Sequence, residues 1–259
     1  MTEYAYDKIT DPVYRHKLID VPNIIADWLA PVGGLSDKTI LDFGCGEATM
    51  ALGMALLHSP KRVVGTEIHG EINRCLPDAQ MHLGLNTLPS NLELIRTGES
   101  SSLRELGPFD IVYSWSVFEH VGQDLIAGCM ATLFDALHPG GYMFLQTTPL
   151  YYSAWGAHMR PQIPRPWVHL ELQRSRLYDE LRSQFPSPQD ADHLIWVYET
   201  LNRATANQLL SAATSAGFEI VNRYVTYDDD EIPGQLLEIY TEDALRTAQL
   251  VFLARRPAS

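Results

Sequence analysis

Asp42-Phe43-Gly44-Cys45-Gly46 closes one apolar run of the chain, and Glu67 closes the next, twenty-five residues further on. Glycine at 44 and 46 lets the backbone approach a ligand with no Cβ atoms in the way, and a helix starting near Ala48 offers unpaired N–H donors. In an open α/β sheet the crevice at the carboxyl end of the first strand is where ligands bind. The ligand's charge is constrained by Asp42, which would repel a pyrophosphate at short range. The dinucleotide fingerprint also wants Gly or Ala at position 49, where this chain has Thr49. A ligand carrying an ammonium and a sulfonium suits the carboxylate, and Glu67 can accept both hydroxyl protons of a ribose. These residues together describe a site for a nucleoside without phosphates. A Gly-x-Gly turn alone also serves as a plain strand-to-helix connection, so the two carboxylates carry the weight.

The elements around them follow from periodicity. Leu18, Ile19, Ile24, Ile25, Trp28 and Leu29 recur at spacings near three and four until Pro31 and Gly33-Gly34, which predicts an N-terminal covering helix. From Thr39 short apolar runs alternate with helix-length segments. The runs 39–43, 62–67, 92–96, 109–115 and 142–147 read as strands, and 48–57, 70–76 and 124–137 as helices. Strands that are almost wholly apolar need cover on both faces, which a parallel sheet between helices supplies. After Thr148 this rhythm breaks for about forty-five residues rich in aromatic, Pro, His and Arg residues, with a polar helical stretch near 170–183. A loop of that length in a compact domain is usually a binding element or lid. A helix over 205–216, closed by Gly217, and strands over 218–225 and 249–254 complete the pattern. The acidic run Asp228-Asp229-Asp230-Glu231 reads as a solvated turn. The fold expected is α/β, a doubly wound, mostly parallel seven-stranded sheet, Rossmann-like, with a lid inserted after strand five. As one domain it comprises a helical cover (1–37), a cofactor half (38–148), a lid and acceptor insertion (149–203) and a C-terminal helix with the last two strands (204–259).

Composition sets other limits. The 259 residues carry 19 Lys and Arg against 32 Asp and Glu, a formal charge of −13, with 46% apolar and 20% charged residues. With mean hydropathy −0.11 and pI about 5.0, this is globular material that excludes disorder and makes nucleic acid an unexpected partner. Cys45, Cys75 and Cys129 form no C-x-x-C pair, which argues against disulfides and a thiolate zinc site. The chain shows no apolar run of membrane-spanning length and no basic, apolar leader at its start, so a cytoplasmic location without membrane attachment is expected, as a monomer or homodimer.

At the glycine turn the sequence resembles the class I S-adenosylmethionine-dependent methyltransferases, over roughly residues 38–148 with a weaker echo in the last two strands. The family's acidic residue followed by x-Gly-x-Gly-x-Gly appears as Asp42-Phe43-Gly44-Cys45-Gly46-Glu47-Ala48, with Ala48 in place of the third glycine. Leu137-His138-Pro139-Gly140-Gly141 matches the family's turn into strand five. The resemblance implies S-adenosyl-L-methionine as cofactor, held by Asp42, Gly44, Cys45, Gly46, Glu67 and Ile68. It also implies Glu99 and Ser100 beside the adenine, and Ser114 and Trp115 at the end of strand four.

Methyl transfer from a sulfonium is an in-line displacement, so a protein must align the partners and, for a hydroxyl acceptor, remove a proton. Small-molecule members of the family often carry a Glu-His after strand four, here Glu119-His120. His120 is the first candidate base by position and ordinary pKa, with His158 and His169 in the lid as reserves, though a histidine that only shapes the pocket fits equally well. Glu119 reads as a packing or cofactor-side contact. The eleven-residue spacing of His158 and His169 matches no metal rule, and no metal is expected. Tyr151, Tyr152, Trp155 and Trp167 are candidate acceptor walls or the lid's own core, and Arg160 a cation for an anionic acceptor or for solvent. Strand four lacks an Asn/Asp-Pro-Pro-aromatic ending and the chain lacks a Pro-Cys pair, which leaves a small-molecule acceptor. The expected activity is methyl transfer to such an acceptor, with oxygen slightly favoured. A non-catalytic S-adenosylmethionine-binding or sensing protein and a nicotinamide-dependent oxidoreductase are the alternatives, and Asp42 with Thr49 speaks against the latter.

Overall fold

The computed structural model describes residues 6–98 and 101–258. Glu99 and Ser100, expected beside the adenine, lie outside these described residues. Seven strands, β1 (Thr39–Phe43), β2 (Arg62–Glu67), β3 (Leu92–Arg96), β4 (Phe109–Trp115), β5 (Leu137–Thr147), β6 (Glu219–Tyr227) and β7 (Thr247–Arg255), form one sheet in the order β3-β2-β1-β4-β5-β7-β6. The pairs β1–β2, β1–β4 and β2–β3 are parallel. Gly140 donates to the Arg256 carbonyl, Arg256 donates to that of Gly141, and Leu150 donates to Ala248, so β7 runs antiparallel to β5. The mostly parallel, Rossmann-like sheet expected from the apolar runs is therefore the one observed.

The chain divides into two compact units. One comprises Met1–Trp115, Ala131–Phe144 and Leu253–Ser259, the other Ser116–Met130 and Leu145–Phe252. In the first, the glycine turn leads into the helix Thr49–Leu57, whose residues from Thr49 to Ala55 are all buried. The N-terminal cover packs on this helix. It consists of a helix Pro12–Arg15 capped by Asp11, a π turn His16–Asp20, a helix Val21–Leu29 and a 3₁₀ turn Ala30–Val32 closed by Gly33 at φ +111°. Pro22 has no N–H to offer the carbonyl of Leu18, four residues earlier. That carbonyl lies against Gly53, where a Cβ would come within 1.9 Å of it, so only glycine permits the contact. The helix expected over 70–76 is a 3₁₀ turn, Gly70–Arg74, followed by a helix Cys75–Leu83, because Pro77 falls in the first turn, where proline is tolerated.

In the second unit the stretch after β5 is folded and has its own core. Tyr151, Ala157, Met159, Ile163 and Val168 pack with Leu177, Leu181, Ala191, Tyr198 and Leu201. A second cluster joins Ala154 and Trp167 to Ile232, Leu236 and Leu245. Helices Arg174–Arg182 and Asp192–Thr200 supply much of this packing, and the second of them was not legible from periodicity. No described helix is long and apolar enough to cross a membrane.

Candidate functional site

The turn after β1 is held from β2. Gly44 and Cys45 both donate to the Thr66 carbonyl at 3.0 Å. Glu67 Oε2 accepts from the Gly46 N–H at 2.8 Å, while Oε1 accepts from Ile68 at 2.7 Å and His69 at 3.0 Å. One carboxylate thus fastens the glycine turn to the end of the neighbouring strand, and with about four lone-pair sites it keeps acceptor capacity for a ligand hydroxyl. Gly44 and Gly46 stand at φ +75° and +55°, and a Cβ built on Gly46 would meet nothing within 4 Å. Open space beside exposed backbone is what a bound ligand requires.

Asp42 is wholly buried. Its Oδ2 accepts from the Tyr113 hydroxyl at 2.8 Å, and its Oδ1 has no hydrogen-bond partner. Burial, opposed by the Tyr113 bond and reinforced by the charges of Glu67 and Glu47, pushes the carboxyl up to about 7. A buried carboxylate oxygen without a partner, next to an open glycine turn, fits a cationic ligand group. The same shift has a consequence for stability. The folded carboxyl keeps its proton up to about 7 while the unfolded one releases it near 3.8, so the folded state binds more protons in that window and loses stability as pH rises through it. Asp42→Asn, whose carbonyl can still accept from Tyr113, should match the wild type only below about pH 3.8 and gain on it steadily as pH rises toward 7. Near pH 8 it should exceed the wild type by on the order of a few kcal/mol, read as a difference in thermal midpoint of the ligand-free protein.

Ala48, at the third position of the glycine pattern, adopts φ +61°. That left-handed conformation costs an L residue more than glycine loses in backbone freedom. Ala48→Gly should therefore raise stability by about 0.5–1 kcal/mol in urea unfolding.

The other cofactor-side residues are placed as follows. The Cys45 side chain is buried against Gly65, where an added Cβ would stand 3.0 Å from its Sγ, and burial raises the thiol's pKa. Ser114 is buried and donates to the Phe43 carbonyl at 3.2 Å. Trp115 is half-buried and stacks on Phe144 at 6.2 Å, and Ile68 is half-buried just after β2.

Beyond β4 the chain turns at Ser116, with φ +53°, which bonds Gln146 through both its N–H and its hydroxyl. Glu119 is buried, accepts from the Thr147 hydroxyl at 2.7 Å and leaves Oε1 without a partner, and burial pushes it up to about 7. His120 is half-buried, with Nδ1 2.9 Å from Thr200 Oγ1 and its ring 5.6 Å from that of His158. Burial, and next the charge of His158, push it down to about 4. His158, at φ +60°, points Nε2 at the Pro149 carbonyl at 3.3 Å, and burial lowers its pKa. His169 is buried in the segment after β5. Its Nε2 donates to the Tyr151 carbonyl at 2.6 Å, its Nδ1 is buried without a partner, and burial pushes it down to about 4.

Among the candidate walls, Tyr151 and Trp167 are packed in the two hydrophobic clusters of the second unit. The Trp167 indole donates to the Tyr152 and Leu245 carbonyls, and the Tyr151 and Tyr198 hydroxyls share a bond of 3.2 Å. Tyr152 is half-buried. Trp155 carries the Arg160 guanidinium over its ring at 4.2 Å, and both line a pocket of about 430 Å³ with Thr148, Pro149, His158, Pro161, Asp228 and Ala248. Asp228 departs from the solvated turn expected of the acidic run. It is half-buried, its Oδ2 accepts from the Ala154 N–H at 2.8 Å, and it is one of the pocket's lining residues. Sequence reading also missed Thr200 and Asn202, for which no local signal exists. Among the described residues no group of three or more His, Cys, Asp or Glu could hold a metal ion.

A family model described as a methyltransferase domain matches residues 14–223. The chain belongs to the class I S-adenosylmethionine-dependent methyltransferases. It is 29% identical over 140 residues to the ubiquinone biosynthesis O-methyltransferase of Cupriavidus pinatubonensis, covering 53% of this chain and 52% of that protein. The chain thus spans about half the length of the curated relatives it matches. Among solved structures, a S-adenosylmethionine-dependent methyltransferase from Methanosarcina mazei has TM-score 0.54 at 19% identity, over 89% of this chain and 98% of that one. The magnesium protoporphyrin IX methyltransferase from Synechocystis, with S-adenosylhomocysteine bound, has TM-score 0.53 at 13% identity, over 99% and 89%. At these identities the likeness speaks for the fold. The methyltransferase pattern accounts for the orphaned Asp42 oxygen and the open space at Gly46, both of which fit the family's cofactor.

Proposed function

We propose that this methyltransferase domain transfers a methyl group from S-adenosylmethionine to an oxygen of a small-molecule acceptor, with His120 taking the acceptor's proton. The observation that carries the reading is the pair of carboxylates about the glycine turn. Asp42 has a buried, unpartnered oxygen, Glu67 has spare acceptor capacity, and the backbone between them is open. A pyrophosphate would meet Asp42 with like charge, which disfavours a nicotinamide cofactor. When bound, S-adenosylmethionine supplies an electrophilic methyl group on a sulfonium sulfur. Asp42, Gly44, Gly46 and Glu67 would bind and orient it, with Ile68, Ser114 and Trp115 as the neighbouring cofactor-side residues.

On the acceptor side, Trp155, Arg160 and His158 line a pocket within the volume range of small-molecule sites, with Tyr152 nearby in sequence. His120 is neutral at working pH, so one ring nitrogen is free to receive the hydroxyl proton as the oxygen gains the methyl group. An oxygen acceptor is supported by the relatives named as O-methyltransferases. The test is calorimetry with S-adenosylhomocysteine and with NAD, followed by transfer of labelled methyl from S-adenosylmethionine to catechol, small carboxylic acids and amines. Binding of NAD in place of S-adenosylhomocysteine would overturn the cofactor. Labelling of amines alone would overturn the oxygen acceptor, and cofactor binding with no labelled product would favour a sensor.

A further inference from the structure

Thr200 ends the helix Asp192–Thr200, eighty residues from His120 in sequence, and places its Oγ1 2.9 Å from His120 Nδ1. A threonine hydroxyl has one proton to give. That proton is engaged elsewhere, because Thr200 Oγ1 donates to the Val197 carbonyl at 2.8 Å, and a carbonyl can only accept. The hydroxyl therefore meets the imidazole with a lone pair, and His120 must supply the hydrogen from Nδ1. A neutral imidazole carries one N–H, so Nε2 is left as the basic nitrogen.

The backbone around the ring is held from the same segment. Asn202 Nδ2 donates to the Phe118 carbonyl at 2.5 Å and the Val121 carbonyl at 2.7 Å, and its backbone N–H donates to the Glu119 carbonyl at 2.8 Å. With the turn 118–121 fastened this way, rotating the ring would set a carbon against Thr200 Oγ1 and forfeit the bond. His158, ring to ring at 5.6 Å, is the titratable group whose charge acts on His120, and the buried Glu119 is its neighbour in the chain.

We propose that Thr200 is a positioning residue that locks His120 in the Nδ1–H tautomer and so presents Nε2 as the base. This rests on the reading of His120 as the proton acceptor. The same bond serves both states of the ring. As the acceptor O–H proton passes to Nε2, the imidazolium keeps Nδ1–H on Thr200 Oγ1, so nothing around the ring rearranges, and the proton later leaves from Nε2 to water.

The experiment is ¹H–¹⁵N NMR of histidine-labelled protein, which reads which ring nitrogen bears hydrogen, paired with methyl transfer to catechol as the hydroxyl probe. The wild type should show His120 protonated at Nδ1 near pH 7. Thr200→Val, nearly isosteric, should lose that preference and lower kcat by about 10- to 1000-fold with KM little changed, part or most of a general base's contribution. Thr200→Ser should keep both tautomer and rate. A wild-type ring protonated at Nε2 overturns the proposal whatever becomes of the variants, and so does a tautomer indifferent to Thr200→Val. A shifted tautomer with unchanged kcat overturns the positioning role. If His120→Asn turns over catechol as fast as the wild type, the base reading itself fails, and this arm is independent of the NMR result.

Discussion

Gly46→Val should abolish measurable S-adenosylhomocysteine binding, and Glu67→Ala should weaken it by about 1–3 kcal/mol, the usual cost of leaving buried polar groups unpaired. Gly46 sits at φ +55°, a conformation a β-branched residue adopts only under strain, and its side chain would grow into the open space beside the turn. Glu67→Ala removes the acceptor for three backbone N–H groups, those of Gly46, Ile68 and His69, so the turn loses its anchor along with the ligand's hydroxyl partner. The thermal midpoint should fall in both variants. Affinity needs its own control, which Gly84→Val provides. Gly84 also has positive φ, +69°, with nothing within 4 Å of an added Cβ, but it closes the helix Cys75–Leu83 and touches no proposed ligand residue. It should lose stability and keep cofactor affinity. Calorimetry showing unchanged affinity in both Gly46→Val and Glu67→Ala would sink the cofactor site.

His120→Asn should lower kcat by about 10²–10⁴-fold while cofactor affinity stays unchanged, the contribution of a positioned general base. The pH profile carries a sharper signature than the rate. A base works in its neutral form, and burial with the neighbouring His158 holds His120 down at about 4. The rate should thus be full well above pH 4 and fall only as pH drops through it, where an ordinary histidine would already limit the rate at about 6.5. His158→Asn removes one of the two causes of the depression and should move the acid limb upward while leaving it in place. A limb that survives in His120→Asn and vanishes in His158→Asn would transfer the base to His158. The linkage has the matching sign. Unfolded His120 takes up a proton near 6.5 and the folded ring only near 4, so stability is lost as pH falls across that window.

Asp42, Gly44, Gly46 and Glu67 were legible in the sequence because their meaning is local. A strand that must be apolar on both faces, a turn that must have no side chains and a carboxylate at the end of the next strand are all written within about thirty consecutive residues. The sheet was legible for the same reason, since the alternation of apolar runs and helical segments reports how each element is covered. The tertiary structure decided the rest. The sequence put His120 first and His158 and His169 in reserve by position alone. Packing gave His169 a buried ring donating to Tyr151, His158 a pocket lining, and His120 a partner eighty residues away. Tyr113 meets Asp42 across 71 residues, Asp228 meets Ala154 across 74, and Asn202 meets Phe118 across 84. Contacts at such separations leave no periodicity, because hydrogen-bond partners are chosen by where packed elements bring side chains together. The sequence alone therefore determined the fold and the family to which the chain belongs. Which imidazole nitrogen stays basic, and which aromatic residues line a pocket instead of a core, depend on desolvation and partner geometry that only the folded chain creates.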